Sequence, residues 1–301
     1  MYNGIINVYK EKGYTSFDVV ARMRGICGQK KIGHTGTLDP DAEGVLLVCL
    51  GKATKVCDML TDSDKVYRAV MQLGVETDTQ DLTGTILKRV DTSGLMEQKV
   101  MDAVMQFEGE IHQVPPMYSA LKVNGKKLCD LARAGVTVER KARSVTIYKI
   151  QVENIALPYV TMTVSCSKGT YIRTLCHDIG QKLGCGAAMK SLVRLQAAGY
   201  RMEDAYKLDT LQEYKEAGTL KDVVTPIEHV FEVYPVLTAK PEFDIMLKNG
   251  NKMALQQFQE TIKPEPEMKV RVRMSDGRFA AVYEYREDLG LFRPSKMFLE
   301  D

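Results

Sequence analysis

The sequence predicts a mixed α/β fold, with a large domain followed by a small β-barrel at the C-terminal end. Segments with apolar residues at helical spacing alternate along the chain with shorter apolar runs that are typical of strands. Beyond Tyr234 the pattern changes to short strands separated by turns, which is typical of a small barrel. The 301 residues suffice for two domains, and we place them at residues 1–232 and 233–301.

The main elements of the large domain follow from hydrophobic periodicity. The first helix is predicted to begin at Thr15 or Ser16, because Thr15 and Asp18 have the spacing of a capping box. Two further helices are predicted over residues 98–107 and 170–183, where apolar residues recur every three or four positions. Continuous or alternating apolar residues predict strands at 45–50, 67–73, 145–150 and 160–166.

Composition and charge favour a cytoplasmic protein that binds a polyanion. The chain is 45% hydrophobic and 27% charged, no apolar run approaches the roughly 18 residues of a membrane span, and its first residues do not form a signal peptide. Seven cysteines without a C-x-x-C pair are expected to be free thiols. The net charge of +2 hides two basic blocks, residues 118–150 and 168–202, which are typical of a nucleic-acid binder.

No metal or cofactor site is predicted. Residues 39–44 begin like a calcium-binding loop, but Leu50 stands where a bidentate Glu is required. Residues 28–33 have Walker spacing, but His34 occupies the position of the obligatory Lys. The four histidines are isolated in sequence, so none belongs to a recognised metal-binding motif. We therefore expect a protein that works without a cofactor.

Asp39 is a candidate catalytic residue of the N-terminal region. It precedes Pro40, which favours extended backbone at Asp39, and the apolar run 45–50 follows as a buried strand. This pattern places a stiffly held carboxylate at the edge of a loop. Spacing alone nevertheless favours a turn residue beside a proline over a reactive carboxylate.

Five segments of the chain resemble the TruB family of bacterial tRNA pseudouridine synthases. In the family's order they are GHTGTLDPDAEGVLLVCLGKATK (33–55), KVYRA (65–69), QVPPMYSALKVNGKKLCDLARAG (113–135), SCSKGTYIRTL (165–175) and AAMKSLVRLQAAG (187–199). The chain departs from the family at Glu11, where a Pro is usual, and at Cys129, where a Tyr is common. The resemblance implies a pseudouridine synthase fold, in which the active-site cleft crosses a large, mainly antiparallel sheet. The C-terminal region resembles the small PUA domain, an RNA-binding barrel.

The resemblance also implies roles for individual residues. Asp39 matches the essential catalytic aspartate, and Arg173 matches the arginine that pairs with this aspartate and keeps it ionised. Tyr67 would stack on the target base and offer its hydroxyl for proton transfer, and Leu192 would form the opposite wall of the base pocket. Tyr171 would pack and hydrogen-bond in the same site.

Three further residues are assigned to RNA binding. His34 matches the residue that fills the space left by displaced T-loop bases. Lys126 and Lys127 lie in the first basic block and are expected to contact RNA phosphates.

The implied reaction converts the T-loop uridine at tRNA position 55 to pseudouridine after the base has been flipped out of its stack. The expected partner is the tRNA T arm, without a membrane or a guide RNA, and the protein is expected to act as a monomer. One alternative is a guide-RNA-dependent rRNA pseudouridine synthase, which the short C-terminal domain and the lack of long charged tails disfavour. A second is a non-catalytic tRNA-folding chaperone, which the complete set of Asp39, Tyr67, Arg173 and Leu192 disfavours.

Overall fold

A computed structural model of the chain describes residues 1–119, 121–123 and 125–299. These residues form the predicted mixed α/β fold. The α-helices are α1 Ser16–Cys27, α2 Cys57–Thr61, α3 Glu97–Met105, α4 Leu128–Arg133, α5 Ile172–Leu183, α6 Leu208–Glu216 and α7 Asp244–Lys248. The strands are β1 Gly4–Lys10, β2 Ile32–His34, β3 Glu43–Leu50, β4 Lys65–Leu73, β5 Val75–Thr77, β6 Ile86–Arg89, β7 Gly109–Gln113, β8 Lys122–Val123, β9 Lys126–Lys127, β10 Arg143–Ala156, β11 Tyr159–Cys166, β12 Ala187–Ala197, β13 Tyr200–Arg201, β14 Val236–Thr238, β15 Lys269–Arg273, β16 Phe279–Arg286 and β17 Leu291–Met297.

The local signals for helix boundaries are confirmed where the caps are strongest. Thr15 is the N-cap of α1: its hydroxyl accepts a hydrogen bond from the backbone N–H of Asp18, and the Asp18 carboxylate accepts one from the Thr15 N–H at 2.8 Å. The helix ends at Gly28, whose left-handed backbone suits a residue without a side chain. Helix α5 likewise ends at Gly184 in the left-handed conformation.

A large, mainly antiparallel sheet forms the centre of the molecule, as predicted. Its strands follow the order β1-β3-β12-β4-β11-β10-β7, with β2 paired to β3 and β13 paired to β12. Within this sheet the described strands pair in parallel between β3 and β12, where Glu43 lies opposite Val193 and Gly44 opposite Arg194. This short pairing brings the loop that precedes β3 close to the middle of the sheet.

Strand β10 is longer than predicted. The sequence indicated a strand over residues 145–150, whereas β10 continues to Ala156. Strand β7 pairs only with residues 143–147 of β10, so the second half of β10 is an edge whose side chains are largely exposed. Polar residues at such an edge break the apolar pattern on which the prediction depended.

Strand β3 is buried on both faces, which explains its nearly continuous apolar sequence. Leu46, Val48 and Leu50 pack against α1 and α6. The alternate residues Val45, Leu47 and Cys49 belong to a second cluster on the opposite face. That second cluster also contains Val282 and Phe298 from the C-terminal region, together with Phe231.

The C-terminal region contains a four-stranded sheet in the order β14-β15-β16-β17. Strands β14 and β15 are parallel, and the other neighbours are antiparallel. Isolated bridges join Ala239 to Phe258 and Met253 to Phe292, and a separate apolar cluster lies inside this region. The domain boundary near residue 232 remains a prediction. None of the helices within the described residues has the length and apolar character that a membrane span needs.

Candidate active site

The loop between β2 and β3 carries Asp39 and is fixed at several points. The Ser16 hydroxyl, at the start of α1, pairs with the backbone of Leu38, accepting from its N–H at 2.9 Å and donating to its carbonyl at 3.3 Å. The Asp39 carbonyl accepts a hydrogen bond from the Ala42 N–H at 3.1 Å. The Asp39 side chain is 41% exposed, so a substrate can reach the carboxylate.

Lys10, at the end of β1, also holds this loop in place. The sequence analysis did not identify Lys10 as part of the site. Its ammonium is fully buried and donates to the carbonyl oxygens of Pro40 at 3.1 Å and Ala42 at 2.5 Å. Burial lowers the pKa of Lys10 to about 8, although the neighbouring carboxylates of Asp39 and Glu43 act in the opposite direction. The sequence feature that could have indicated a buried lysine is its position at the end of the apolar strand GIINVYK.

The stability of the fold is expected to depend on the protonation of Lys10. Its pKa is about 8 in the folded chain against 10.5 for an exposed lysine, so between these values the unfolded chain binds more protons. The free energy of unfolding should therefore rise as the pH rises through this range. Urea unfolding at about pH 8 and about pH 10 measures this rise in the free energy of unfolding. The rise should be smaller in Lys10→Met than in the unsubstituted protein, but should not vanish, because the pKa of Lys65 is lowered in the same way. An identical rise in both proteins would contradict this assignment.

Arg173 binds Asp39 through a two-point ion pair. The distances are 3.1 Å from Nε to Oδ2 and 3.3 Å from Nη2 to Oδ1. The remaining guanidinium N–H groups donate to the carbonyl oxygens of Thr79 at 3.1 Å and Tyr118 at 2.8 Å, and to the Asp81 carboxylate at 3.3 Å. Four guanidinium N–H groups thus donate hydrogen bonds, Nε lies at ion-pair distance from Asp39, and the Arg173 side chain is only 7% exposed. The position of the guanidinium is therefore fixed before any substrate arrives.

The protein environment raises the pKa of Asp39 above its usual value of 3.8. Burial is the largest cause, and the Arg173 guanidinium opposes it by stabilising the ionised form. The nearby Asp81 carboxylate also raises this pKa through like-charge repulsion. Ionisation of Asp39 therefore depends strongly on Arg173.

Asp81 is a second residue of the site that our sequence analysis missed. One oxygen of its carboxylate accepts hydrogen bonds from the Thr79 hydroxyl at 2.8 Å and from the Thr83 N–H at 3.0 Å, and the other faces Arg173. Gln80, between Thr79 and Asp81 in the sequence, has a left-handed backbone with φ of 64°. Its side-chain oxygen accepts a hydrogen bond from the Thr174 hydroxyl at 2.8 Å. The sequence feature that could have indicated this part of the site is the high content of Asp and Thr in ETDTQDLTG.

Tyr67 and Leu192 lie on the same face of the sheet and pack close to the start of the Asp39 segment. Tyr67 on β4 pairs with Arg194 on β12, and Ala69 pairs with Leu192, so these side chains point the same way. Both Tyr67 and Leu192 pack in the apolar cluster that includes Leu38, the residue before Asp39. Burial raises the pKa of the Tyr67 hydroxyl, so the phenol is protonated near neutral pH.

Tyr171 and His34 border the site from two sides. Tyr171 is the N-cap residue of α5, and its backbone is held by the buried Gln113 amide, which accepts from its N–H at 3.0 Å and donates to its carbonyl at 3.2 Å. His34 ends β2 at the start of the Asp39 loop. Burial and the nearby Arg194 lower the pKa of His34, so its imidazole is neutral at pH 7.

Of the two lysines predicted to bind RNA, the structure describes the side chain of Lys126. Lys126 is exposed on the short β8–β9 hairpin and makes no hydrogen bond or ion pair with the site residues within the described part of the chain. The side chain of Lys127 lies outside the described part of the structure. The same described residues contain no group of three or more His, Cys, Asp or Glu side chains that could hold a metal ion.

Comparison with known protein families gives matches over most of the chain. Residues 24–172 match the model of the TruB family pseudouridylate synthase N-terminal domain, and residues 173–232 match that of the tRNA pseudouridylate synthase B C-terminal domain. The tRNA pseudouridine synthase B of Lachnoclostridium phytofermentans is 49% identical over an alignment of 307 positions, which covers 99% of this chain and all of the relative. The enzyme of the same name from Clostridium tetani is 44% identical, over 89% of this chain and 91% of its own length.

Solved structures with a similar fold are more distant in sequence. An H/ACA RNP bound to a substrate RNA containing 2'-deoxyuridine aligns with a TM-score of 0.71 and 27% identity, covering 99% of this chain and 85% of that chain. An archaeal box H/ACA sRNP Nop10–Cbf5 complex aligns with a TM-score of 0.70 and 25% identity, covering 99% and 86%.

Proposed function

The chain belongs to the TruB family of pseudouridine synthases, and from this premise we propose that it converts the T-loop uridine at tRNA position 55 to pseudouridine. The observation that carries the proposal is the two-point Asp39–Arg173 pair, in which a reachable carboxylate is held by a buried guanidinium. The relatives named for tRNA pseudouridine synthase are 43–49% identical to this chain, whereas the two RNP structures are 25–27% identical. This difference favours a tRNA substrate over guide-dependent modification.

The reaction breaks the N1–C1′ glycosidic bond, turns the uracil, and joins C5 to C1′. Nothing is oxidised, and the proton lost from C5 is balanced by one taken up at N1, so the protein side chains suffice. The uridine must leave its stack before a carboxylate can reach the sugar or the base. Asp39 then serves either as the nucleophile or as the base that removes the 2′ proton.

The surrounding residues support the flipped nucleotide. Arg173 keeps Asp39 ionised and oriented in a partly desolvated site. Tyr67 would stack on the uracil, and Leu192 would line the other side of the base pocket. Tyr171 would bound the same pocket near the start of α5, and neutral His34 would fill the space vacated by displaced T-loop bases.

Tyr67 is also the candidate acceptor of the C5 proton. Burial raises the pKa of its phenol and keeps it protonated near neutral pH. The phenol must therefore release its own proton to water before Oη takes the C5 proton, which restores the phenol. Lys126 and Lys127 would hold RNA phosphates outside this pocket. One copy of the chain supplies every proposed site residue, so the protein would act as a monomer. We propose the cytoplasm as the place where it acts.

The central test is tritium release from C5-labelled uridine in an isolated T-arm hairpin, with no guide RNA present. Formation of the C5–C1′ bond expels the label to water, so we expect release from the hairpin and from full-length tRNA. Release only after addition of a guide RNA would favour guide-dependent modification. Tight tRNA binding with no release would instead indicate a folding chaperone.

Tyr67→Phe is expected to separate stacking from proton transfer. The ring is retained, so tRNA affinity should change little, whereas turnover should fall by about 10²-fold or more if the hydroxyl handles the C5 proton. Single-turnover kinetics should then show rearranged base accumulating on the enzyme. Unchanged turnover would leave Tyr67 with a packing role only.

Affinity for tRNA is expected to fall steeply with salt, because each phosphate contact releases roughly one counterion. Lys126→Gln combined with Lys127→Gln should raise KM more than it lowers kcat, and should flatten the slope of log affinity against log salt by about two units. The matched control replaces Lys215 and Lys221, two exposed lysines in the acidic stretch 203–232. Equal slopes for the two double variants would exclude the hairpin as a phosphate-binding element.

A further inference from the structure

Arg194 is a buried cation that the reaction scheme above does not use. Its side chain is among the largest that are fully buried, with only 1% of the residue exposed. Nε donates to the Val45 carbonyl at 2.7 Å and Nη2 to the Gly36 carbonyl at 3.3 Å. Within residues 1–119, 121–123 and 125–299, no carboxylate oxygen lies within 4.0 Å of its nitrogens. The guanidinium is therefore held by neutral oxygen acceptors.

A further neutral oxygen near this guanidinium is the hydroxyl of Tyr67. The two residues lie directly opposite each other where β4 and β12 pair, so their side chains share one face of the sheet and the guanidinium comes within reach of the phenol oxygen. An arginine has donors and no acceptor, so a hydrogen bond between the two side chains can only run from the guanidinium to the phenol oxygen.

Arg194 also contacts the segments that frame Asp39. Gly36 lies in the loop between His34 and Asp39, and Val45 lies in the strand that follows this loop. At the neighbouring Gly44, an added Cβ atom would come within 2.2 Å of the Arg194 carbonyl oxygen, so the two backbones need a glycine to approach this closely. One side chain thus joins the Asp39 loop, β3 and Tyr67.

A purely structural role explains this arrangement poorly. Replacing a buried charged group by an apolar side chain of similar volume is often neutral or stabilising, because desolvation of the charge is costly. A cation retained without a carboxylate partner is better explained by a group that develops negative charge during the reaction. Among the ionisable groups around Tyr67, Arg194 favours the ionised phenol, whereas Asp39 and Cys166 oppose it.

We propose that Arg194 is a positioning residue for Tyr67, whose phenol oxygen accepts a hydrogen bond from the guanidinium. The phenol first releases its own proton to water, and the guanidinium stabilises the phenolate that this leaves. The phenolate oxygen then takes the C5 proton, which restores the phenol, while N1 of the base takes up a proton from water. This proposal rests on the proposed function, because it assigns Arg194 to the proton-transfer step of that reaction.

The first test reads the contact directly and needs no activity. In protein labelled with 13C at the tyrosine ζ carbon, the Tyr67 resonance is identified by its loss in Tyr67→Phe. Arg194→Met should shift this resonance at neutral pH, and Arg194→Lys, which keeps the charge, should shift it less. The control is Arg201→Met, which removes an exposed arginine paired with Glu203 and should leave the resonance in place. A resonance unmoved in both Arg194 variants would overturn the proposal.

The second test is a double-mutant cycle in single-turnover kinetics. Arg194→Met should slow the reaction by about 10²-fold when Tyr67 is present, but by less than about 3-fold in the Tyr67→Phe background. A merely structural role predicts the same loss in both backgrounds, and that result would overturn the proposal. If Arg194→Met does not fold, Arg194→Lys takes its place in the cycle. If the unsubstituted protein makes no pseudouridine, the proposed function fails, while the resonance test still reports on the contact.

Discussion

Asp39→Asn is expected to abolish pseudouridine formation while leaving tRNA affinity within a few-fold of the unsubstituted protein. The amide has the size of the carboxylate but lacks both its charge and its nucleophilic oxygen. The Arg173 fork would then face an amide NH2 group in place of one acceptor oxygen. Loss of the reacting group should lower the single-turnover rate by more than about 10³-fold, which corresponds to about 4 kcal/mol in the barrier.

The measurement is tritium release from C5-labelled tRNA, with binding followed separately by filter retention. The matched control is Asp41→Asn, because Asp41 lies in the same loop but is exposed and pairs with Lys12 at 3.6 Å. The control should turn over at nearly the unsubstituted rate. If Asp39→Asn retains comparable turnover, the assignment of Asp39 as the essential carboxylate is wrong.

Arg173→Met is expected to be almost as severe, because it removes the cation shared by two carboxylates. Asp39 and Asp81 would face each other without the guanidinium, and two carbonyl oxygens would lose their donor. The pKa of Asp39 is already raised by burial and would rise further. Turnover should fall by about 10²-fold or more even where Asp39 is ionised, because its orientation is lost.

The pH profile separates the electrostatic part of this effect. In the proposed reaction Asp39 acts in its ionised form, so activity should be present above its pKa and lost as the pH falls through it. In Arg173→Met the acid limb of the profile should therefore lie at higher pH than in the unsubstituted protein. Arg201→Met serves as the control, since Arg201 is an exposed arginine paired with Glu203. An acid limb at the same pH in Arg173→Met and in the unsubstituted protein would exclude the Asp39–Arg173 pair as the source of the ionised carboxylate.

The parts of the structure that sequence predicted are those encoded locally. The capping box at Thr15 depends on residues three positions apart, and the apolar run of β3 reflects burial on both faces. The catalytic candidates Asp39 and Arg173 came from resemblance, because spacing alone favoured a turn residue at Asp39. Their contact spans 134 residues of chain, which no local pattern encodes.

The residues that sequence missed are polar groups whose partners are set by the tertiary fold. Lys10 and Arg194 look like ordinary cations in sequence, yet both are buried against backbone carbonyl oxygens. Asp81 looked like part of a polar surface loop, and it reaches Arg173 across 92 residues. Each carries a charge that sequence statistics place at the surface, so only the observed burial reveals its role.

The apolar cluster behind β3 has a practical consequence for studying the C-terminal region. A chain ending at residue 232 would lose Val282 and Phe298, and with them the cover of the β3 face that carries Val45 and Leu47. The uncovered patch would favour self-association of the shortened protein in solution. Loss of activity in such a fragment could then result from self-association and would not show that a contact with tRNA had been lost. The prediction that the C-terminal sheet binds tRNA is better tested by single substitutions at its solvent-facing positions than by truncation.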